Sequence, residues 1–160
     1  MEQKTHLLIF SLDENKYALP LESVERVIRL VKVTPITDAP AIFLGLLNMG
    51  GEYIAVIDMR KRFHLPPKEP DLDDQIIIVQ TLKRKVAFLV DKVIRVCEWD
   101  NSKTVEAEKI LPGLGEFVKK VTCLEDEMIL VYDLDKVLSF EEKKHLDEAI
   151  MAENEVVKNK

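Results

Sequence analysis

Residues 7–59 and 76–134 carry the same pattern twice, and this echo constrains the fold more than any single motif. A shift of 69 positions places Ile9 over Ile78, Lys16 over Lys85, Ala18 over Ala87, Val24 over Val93, Arg26 over Arg95 and Val27 over Val96. Six further residues in the second half then bring Glu52, Ile54, Val56 and Asp58 over Glu127, Ile129, Val131 and Asp133. Chance pairing gives about one or two identities in each stretch, so a duplicated β unit accounts for the pattern and two similar small folds held together are expected.

Each copy opens as a hairpin. Leu7 to Leu12 and Lys16 to Leu21 flank Asp13-Glu14-Asn15, and Ile76 to Leu82 and Val86 to Val90 flank Lys83-Arg84-Lys85. The runs that follow, Val24 to Val31 and Val93 to Trp99, put apolar side chains on both faces of an extended strand. One face belongs inside its own lobe, and the other needs cover from the second lobe or from a partner. Asp38 with Pro40 reads as the start of a helix of one or two turns, ended by Gly45. Gly50-Gly51 suits a tight hairpin turn into Tyr53 to Asp58, and the second copy repeats this with Val121 to Leu124 and Met128 to Tyr132.

The proline-broken, acidic stretch 65–74 is the expected connection between subdomain halves of about 5–64 and 75–138. The main domain spans 1–140. Beyond it, Ser139 with Glu142 forms a capping-box signature, so 141–160 is expected to be a C-terminal helix with a fraying tail.

Chemistry is hard to find in this chain. His6, His64 and His145 sit in unrelated segments, and no nucleophile elbow, zinc spacing, phosphate loop or dinucleotide fingerprint is present. Cys97 and Cys123 fit neither a metal site nor a disulfide framework and read as reduced, buried thiols. Asp71 to Asp74 lacks the ligand pattern of a calcium loop. Asp58 and Asp133 occupy matching places, where capping of a following turn or short helix explains them better than an acid–base pair. No catalytic residue, metal or cofactor is therefore expected.

With 160 residues, 47% of them hydrophobic, the chain can bury a real core, while a net charge of -6 argues against a phosphate backbone as partner. The first apolar run, Leu7 to Phe10, is far too short for a signal core or a membrane span, so a cytoplasmic protein is expected. What remains is surface. Val24, Val27, Val93 and Val96 suit either an ordinary core or a partner-binding groove, beside which Arg26, Arg29 and Arg95 would orient an acidic helix.

Gly45-Leu46-Leu47-Asn48-Met49-Gly50-Gly51 continuing through Ile54-Ala55-Val56-Ile57-Asp58-Met59-Arg60 to Phe63 resembles the core motif of the CheW family, the coupling proteins of bacterial chemotaxis. Leu8 to Leu12, Tyr17 to Pro20, Val24 to Arg29, Leu89 to Val93 and Met128 to Leu134 extend the resemblance over about residues 5–140. The resemblance implies a mainly β fold of two five-stranded SH3-like barrels and no enzymatic activity. It also implies a scaffold joining the cytoplasmic tip of a chemoreceptor to the regulatory domain of the CheA histidine kinase, at receptor arrays on the inner membrane.

On the same grounds the receptor hairpin would lie near Val24, Arg26, Val27, Gly45, Asn48, Val93 and Val96, while barrel ends would meet the kinase. Gly50, Gly51, Asp58 and Arg60 form the motif turn and its flank. The family's arginine is Gly50 here, with Arg26 or Arg60 as candidates to replace it, and its following proline is Ala55. This departure is consistent with a diverged adaptor of a non-flagellar pathway such as pilus motility. A small-molecule sensor using the inter-lobe cleft, with Asp58, Asp133 and His64, is the reading from a different class.

Overall fold

The chain's architecture, seen in a computed structural model that describes residues 4–100, 104–106, 118–124, 127–132 and 134, is almost entirely β. Strands β1 (Lys4–Leu12) and β2 (Asn15–Pro20) form the first hairpin, followed by a 3-10 turn at Leu21–Ser23 and β3 (Val24–Arg29). A second hairpin comprises β4 (Phe43–Met49) and β5 (Glu52–Asp58), and the single-turn helix α1 (Met59–Arg62) closes the first copy. The second copy supplies β6 (Gln75–Gln80), β7 (Lys85–Val90), β8 (Lys92–Asp100), β9 (Thr104–Glu106), β10 (Val118–Leu124) and β11 (Glu127–Tyr132). Asp133 and the expected tail helix 141–160 lie outside the described residues.

Two sheets result, with strand orders β8-β1-β2-β11-β10-β9 and β3-β6-β7-β5-β4. Replacing each strand by its aligned copy turns one order into the other. Parallel pairing joins β5 to β7 with Val56 opposite Ala87, and β11 to β2 with Val131 opposite Ala18, which is the same pair in both sheets. Ion pairs repeat as well: Lys85 Nζ meets Glu52 at 3.2 Å, and Lys16 meets Glu127. Even β9, which makes the first sheet six-stranded where five were expected, has a counterpart in Thr34, whose isolated bridge to Leu46 flanks β4.

The sheets do not follow the sequence halves 5–64 and 75–138. Each opening hairpin pairs with the closing hairpin of the other copy, because the chain leaves β2 through Leu21–Ser23 and β7 through Asp91 alone. Connections that short carry it directly to the facing sheet. The result is a mainly β protein of two SH3-like subdomains that exchange hairpins.

Alternation along the strands distributes three cores. Leu8 and Phe10 of β1, Ile77 and Val79 of β6, and Val86, Phe88 and Val90 of β7 enter one cluster that draws on both sheets. Their neighbours Ile76, Ile78, Ala87 and Leu89 fill a cluster on the other face of the second sheet, while Leu7, Ile9, Ala18, Ile129 and Val131 fill that of the first. Central strands are thus buried on both faces, which is why they read as unbroken apolar runs.

The helix expected after Asp38 does not form. Asp38 itself adopts a left-handed φ of 59°, Phe43 N–H donates to the Pro40 carbonyl at 3.0 Å, and residues from Phe43 onward extend as β4. A helix of one turn gains little against its nucleation cost, whereas β4 buries Phe43, Leu46 and Leu47 and pairs with β5 through a ladder interrupted only by a bulge between Phe43 and Gly45. Gly45 is no breaker but a point of close approach inside the strand. A Cβ there would lie 2.2 Å from the Thr34 carbonyl oxygen. Gly50 and Gly51, with φ of 62° and 90°, do make the expected two-residue hairpin turn between Met49 and Glu52. The 65–74 connection is mostly exposed yet anchored at its end, where buried Asp74 accepts from Asp71 N–H at 2.8 Å and pairs with Lys68 at 3.2 Å.

Candidate partner-binding surface

Strands β3 and β8 are the equivalent edges of the two sheets. In β3, Val24 lies opposite Val79 and Val27 opposite Ile77; in β8, Val93 lies opposite Phe10 and Val96 opposite Leu8. All four partners belong to the central core, so the four valines share its face. Val24, Val27 and Val93 are half-buried against that core, whereas Val96 is 47% exposed. By position, Val24, Val27 and Val93 pack against the junction core and Val96 presents apolar surface beside it.

The arginines separate. A bulge between Val24 and Arg26 turns Arg26 opposite Ile78, on the face away from the valines, and Arg95 likewise lies opposite Ile9. Arg29 alone stays in phase with Val27. The expectation that Arg26 lies beside the valines is therefore corrected by one extra residue in the ladder. Its side chain instead lines a cleft of about 290 Å³ with Gly50, on a floor of Met49, Ile54 and Ile78. Lys85 stands at the rim, bonded to Glu25 at 3.1 Å and Glu52 at 3.2 Å, and both carboxylates raise its pKa, Glu25 first.

Other motif residues hold structure. Gly45 is buried in β4, and Asn48 is exposed with its Oδ1 accepting Gly51 N–H at 3.0 Å, which fixes the turn. Asp58 is buried and caps α1 by accepting Arg60 N–H at 3.0 Å. Arg60 is unavailable as a substitute for the missing arginine. Its guanidinium bonds Asp91 through Nε at 3.1 Å and Nη2 at 3.0 Å, the Pro66 carbonyl at 3.1 Å, and Asp13. The Asp13 hydrogen bond, and then Asp91, push its pKa up against the opposing effect of burial.

Among the described residues, the polar candidates Asp58 and His64 do not come together as a catalytic group. Asp58 is committed to its cap, while His64 is exposed on the surface. The junction between the sheets is aliphatic and aromatic, with Phe63 stacked on Tyr132 at 4.4 Å and on Tyr17 at 5.2 Å. Among the described residues no group of three or more His, Cys, Asp or Glu could hold a metal, and no helix is long and apolar enough to cross a membrane. Sequence reasoning missed Asp91, Asp13 and the Lys85 cluster. Repetition of Lys16 and Glu127 at the places of Lys85 and Glu52 was the available signal for the last of these.

Comparison with known proteins agrees with this architecture. The model of the CheW-like domain matches residues 6–142, most of the chain. The chain belongs to the CheW-like domain family. Relatives of this CheW-like protein include the chemotaxis protein CheW of Treponema pallidum (strain Nichols), 25% identical over 150 residues, covering 91% of this chain and 88% of the relative. The CheW of Thermotoga maritima is 25% identical over 132 residues, covering 82% and 86%. Among solved structures, the scaffolding protein TtCheW from Thermoanaerobacter tengcongensis superposes with a TM-score of 0.80 at 28% identity, covering 88% of this chain and 96% of that one.

Proposed function

We propose that this CheW-like chain is a non-enzymatic chemotaxis adaptor that couples the cytoplasmic tip of chemoreceptors to the regulatory domain of a CheA histidine kinase, at receptor arrays on the cytoplasmic side of the inner membrane. The observation that carries this reading is that the equivalent edge strands of the two sheets, β3 and β8, turn Val24, Val27, Val93 and Val96 to the junction face, within a domain matched to the family over residues 6–142. An edge of small β-branched side chains beside a closed core suits an amphipathic helix laid across it. Such a protein acts by holding two partners at once and by shifting their populations through contact.

Co-sedimentation with membranes carrying a chemoreceptor from the same genome, with and without its CheA, tests this. Receptor-dependent recovery with altered kinase output is the expected result. Val96→Glu is the sharper probe because Val96 is already exposed, whereas Val27 completes the core. It should abolish recovery while leaving the melting temperature unchanged; unaltered recovery would remove the valine edge from the interface. Gly50, standing where the family motif has arginine, favours a second reading as the adaptor of a non-flagellar chemosensory pathway. Selective recovery with receptors of that pathway would establish it.

A further inference from the structure

Neither sequence half holds a complete sheet. Among the described residues β3 pairs only with β6 and β8 only with β1, while β2 meets β11 and β5 meets β7. Each of these pairings joins residues before the 65–74 connection to residues after it. The central core is shared in the same way, with Phe10, Tyr17 and Ile57 from the first half packed with Ile77, Phe88 and Tyr132 from the second. The covalent join is slight by comparison. Residues 66–73 are exposed throughout, and Pro66, Pro67 and Pro70 stiffen the run in an extended form. Its fixed points lie towards the ends, where the Pro66 carbonyl accepts from Arg60, the Asp74 side chain from Lys68 and the Asp74 carbonyl from Leu30 N–H.

From this topology we infer that the chain exchanges halves with a second copy of itself, giving a dimer in which each two-sheet unit takes β1–β5 from one chain and β6–β11 from the other. Every strand pairing is kept and only the path of residues 65–74 changes, so each contact between halves is replaced by the identical contact between chains. Extended at about 3.1 Å per residue, that link reaches roughly 31 Å, far enough to pass from one unit into its neighbour. The two-fold axis runs between the two links, where Leu72, 82% exposed in the single chain, gains apolar cover from the partner link. The valine edges become composite, Val24 and Val27 from one chain beside Val93 and Val96 from the other. Half exchange is independent of the adaptor reading. A short link presents a chain's own half at an effective concentration on the order of millimolar, so the dimer forms on refolding near that concentration. It persists on dilution, because reversal requires both sheets to unfold.

The test uses His6 and Glu98, exposed residues that face each other across β1 and β8, one from each half, with Nε2 to Oε1 at 4.0 Å. Full chains bearing either His6→Cys or Glu98→Cys, all with Cys97→Ser and Cys123→Ser, are mixed, unfolded, refolded together at about 1 mM and oxidised. A disulfide-linked dimer with one chain of each kind is expected, since opposed strand residues meet the Cα spacing of a disulfide and no single chain carries both cysteines. The matched pair mixed without unfolding, and His6→Cys refolded with the mismatched Glu127→Cys, are expected to give none. For the unsubstituted chain, light scattering after gel filtration should show the dimer fraction rising with refolding concentration. Removal of residues 67–70, which shortens the link by about 13 Å, should lower the midpoint at least about tenfold. Absence of the mixed disulfide, or equal yield from the mismatched pair, would overturn half exchange. Should the shortened chain fail to fold, the disulfide readout on full-length chains decides by itself.

Discussion

Arg60 holds Asp91 in a two-point ion pair, Nε to Oδ1 at 3.1 Å and Nη2 to Oδ2 at 3.0 Å, at the single residue that connects β7 of the second sheet to β8 of the first. The same guanidinium reaches Asp13 in the β1–β2 turn and the Pro66 carbonyl, while Asp91 Oδ2 accepts Asp13 N–H at 2.7 Å. One side chain thus binds the first hairpin, the crossover and the inter-copy connection. The side chains of Arg60 and Asp91 are only 10% and 19% exposed, so water cannot replace a lost partner. Arg60→Ala should cost about 3 kcal/mol in denaturant unfolding, by leaving Asp91 half-buried without its counter-charge and with only the Asp13 N–H bond. Asp91→Asn alone should cost less, and the double variant should be less unstable than the sum. Strict additivity would show that the two residues act separately.

Two glycines make opposite predictions. Gly45→Ala forces a Cβ against the Thr34 backbone and should destabilise by about 3 kcal/mol or more, with loss of the Thr34 bridge. Gly50→Arg has open space around it and should cost only about 1 kcal/mol for a left-handed residue. Thermal unfolding of the two variants side by side checks the order. A stable Gly45→Ala would mean that the 31–36 segment moves away at little cost.

Alkaline pH should unfold the protein through its aromatic stack. Burial, and then the neighbouring Tyr17 charge, push the Tyr132 hydroxyl far above its ordinary 10.0, and burial also raises Tyr17. In the unfolded chain both ionise near that value, so the folded state holds its protons to higher pH than the unfolded state does. Their contribution is full below pH 10 and is lost as pH rises from there towards the raised values. Melting temperature measured across this range should fall, and Tyr132→Phe should flatten the decline. An unchanged slope would assign the effect to lysine deprotonation.

Core truncation should report on the junction. Phe88 is fully buried in the cluster that draws on both sheets, and Phe88→Ala should cost about 3–5 kcal/mol. Because the hairpins are exchanged, unfolding of both subdomains should remain one transition, seen as coincident far-ultraviolet and tyrosine signals. Separate transitions would show that the subdomains are independent.

The amino-acid order by itself determined the duplication, the hairpins, the Gly50-Gly51 turn, the capping by Asp58 and the family motif, because each rests on local periodicity or on residues a few positions apart. It also placed Val24, Val27, Val93 and Val96 in equivalent positions. Only tertiary structure decided which hairpin pairs with which, since a β strand's edge does not encode whether its partner comes from its own copy or the other. The same holds for Arg26, which a one-residue bulge sends to the face opposite the valines, and for Arg60, whose partners Asp13 and Asp91 lie 47 and 31 positions away. Register and long-range charge pairing are set by the packing of whole sheets, and no local pattern carries them.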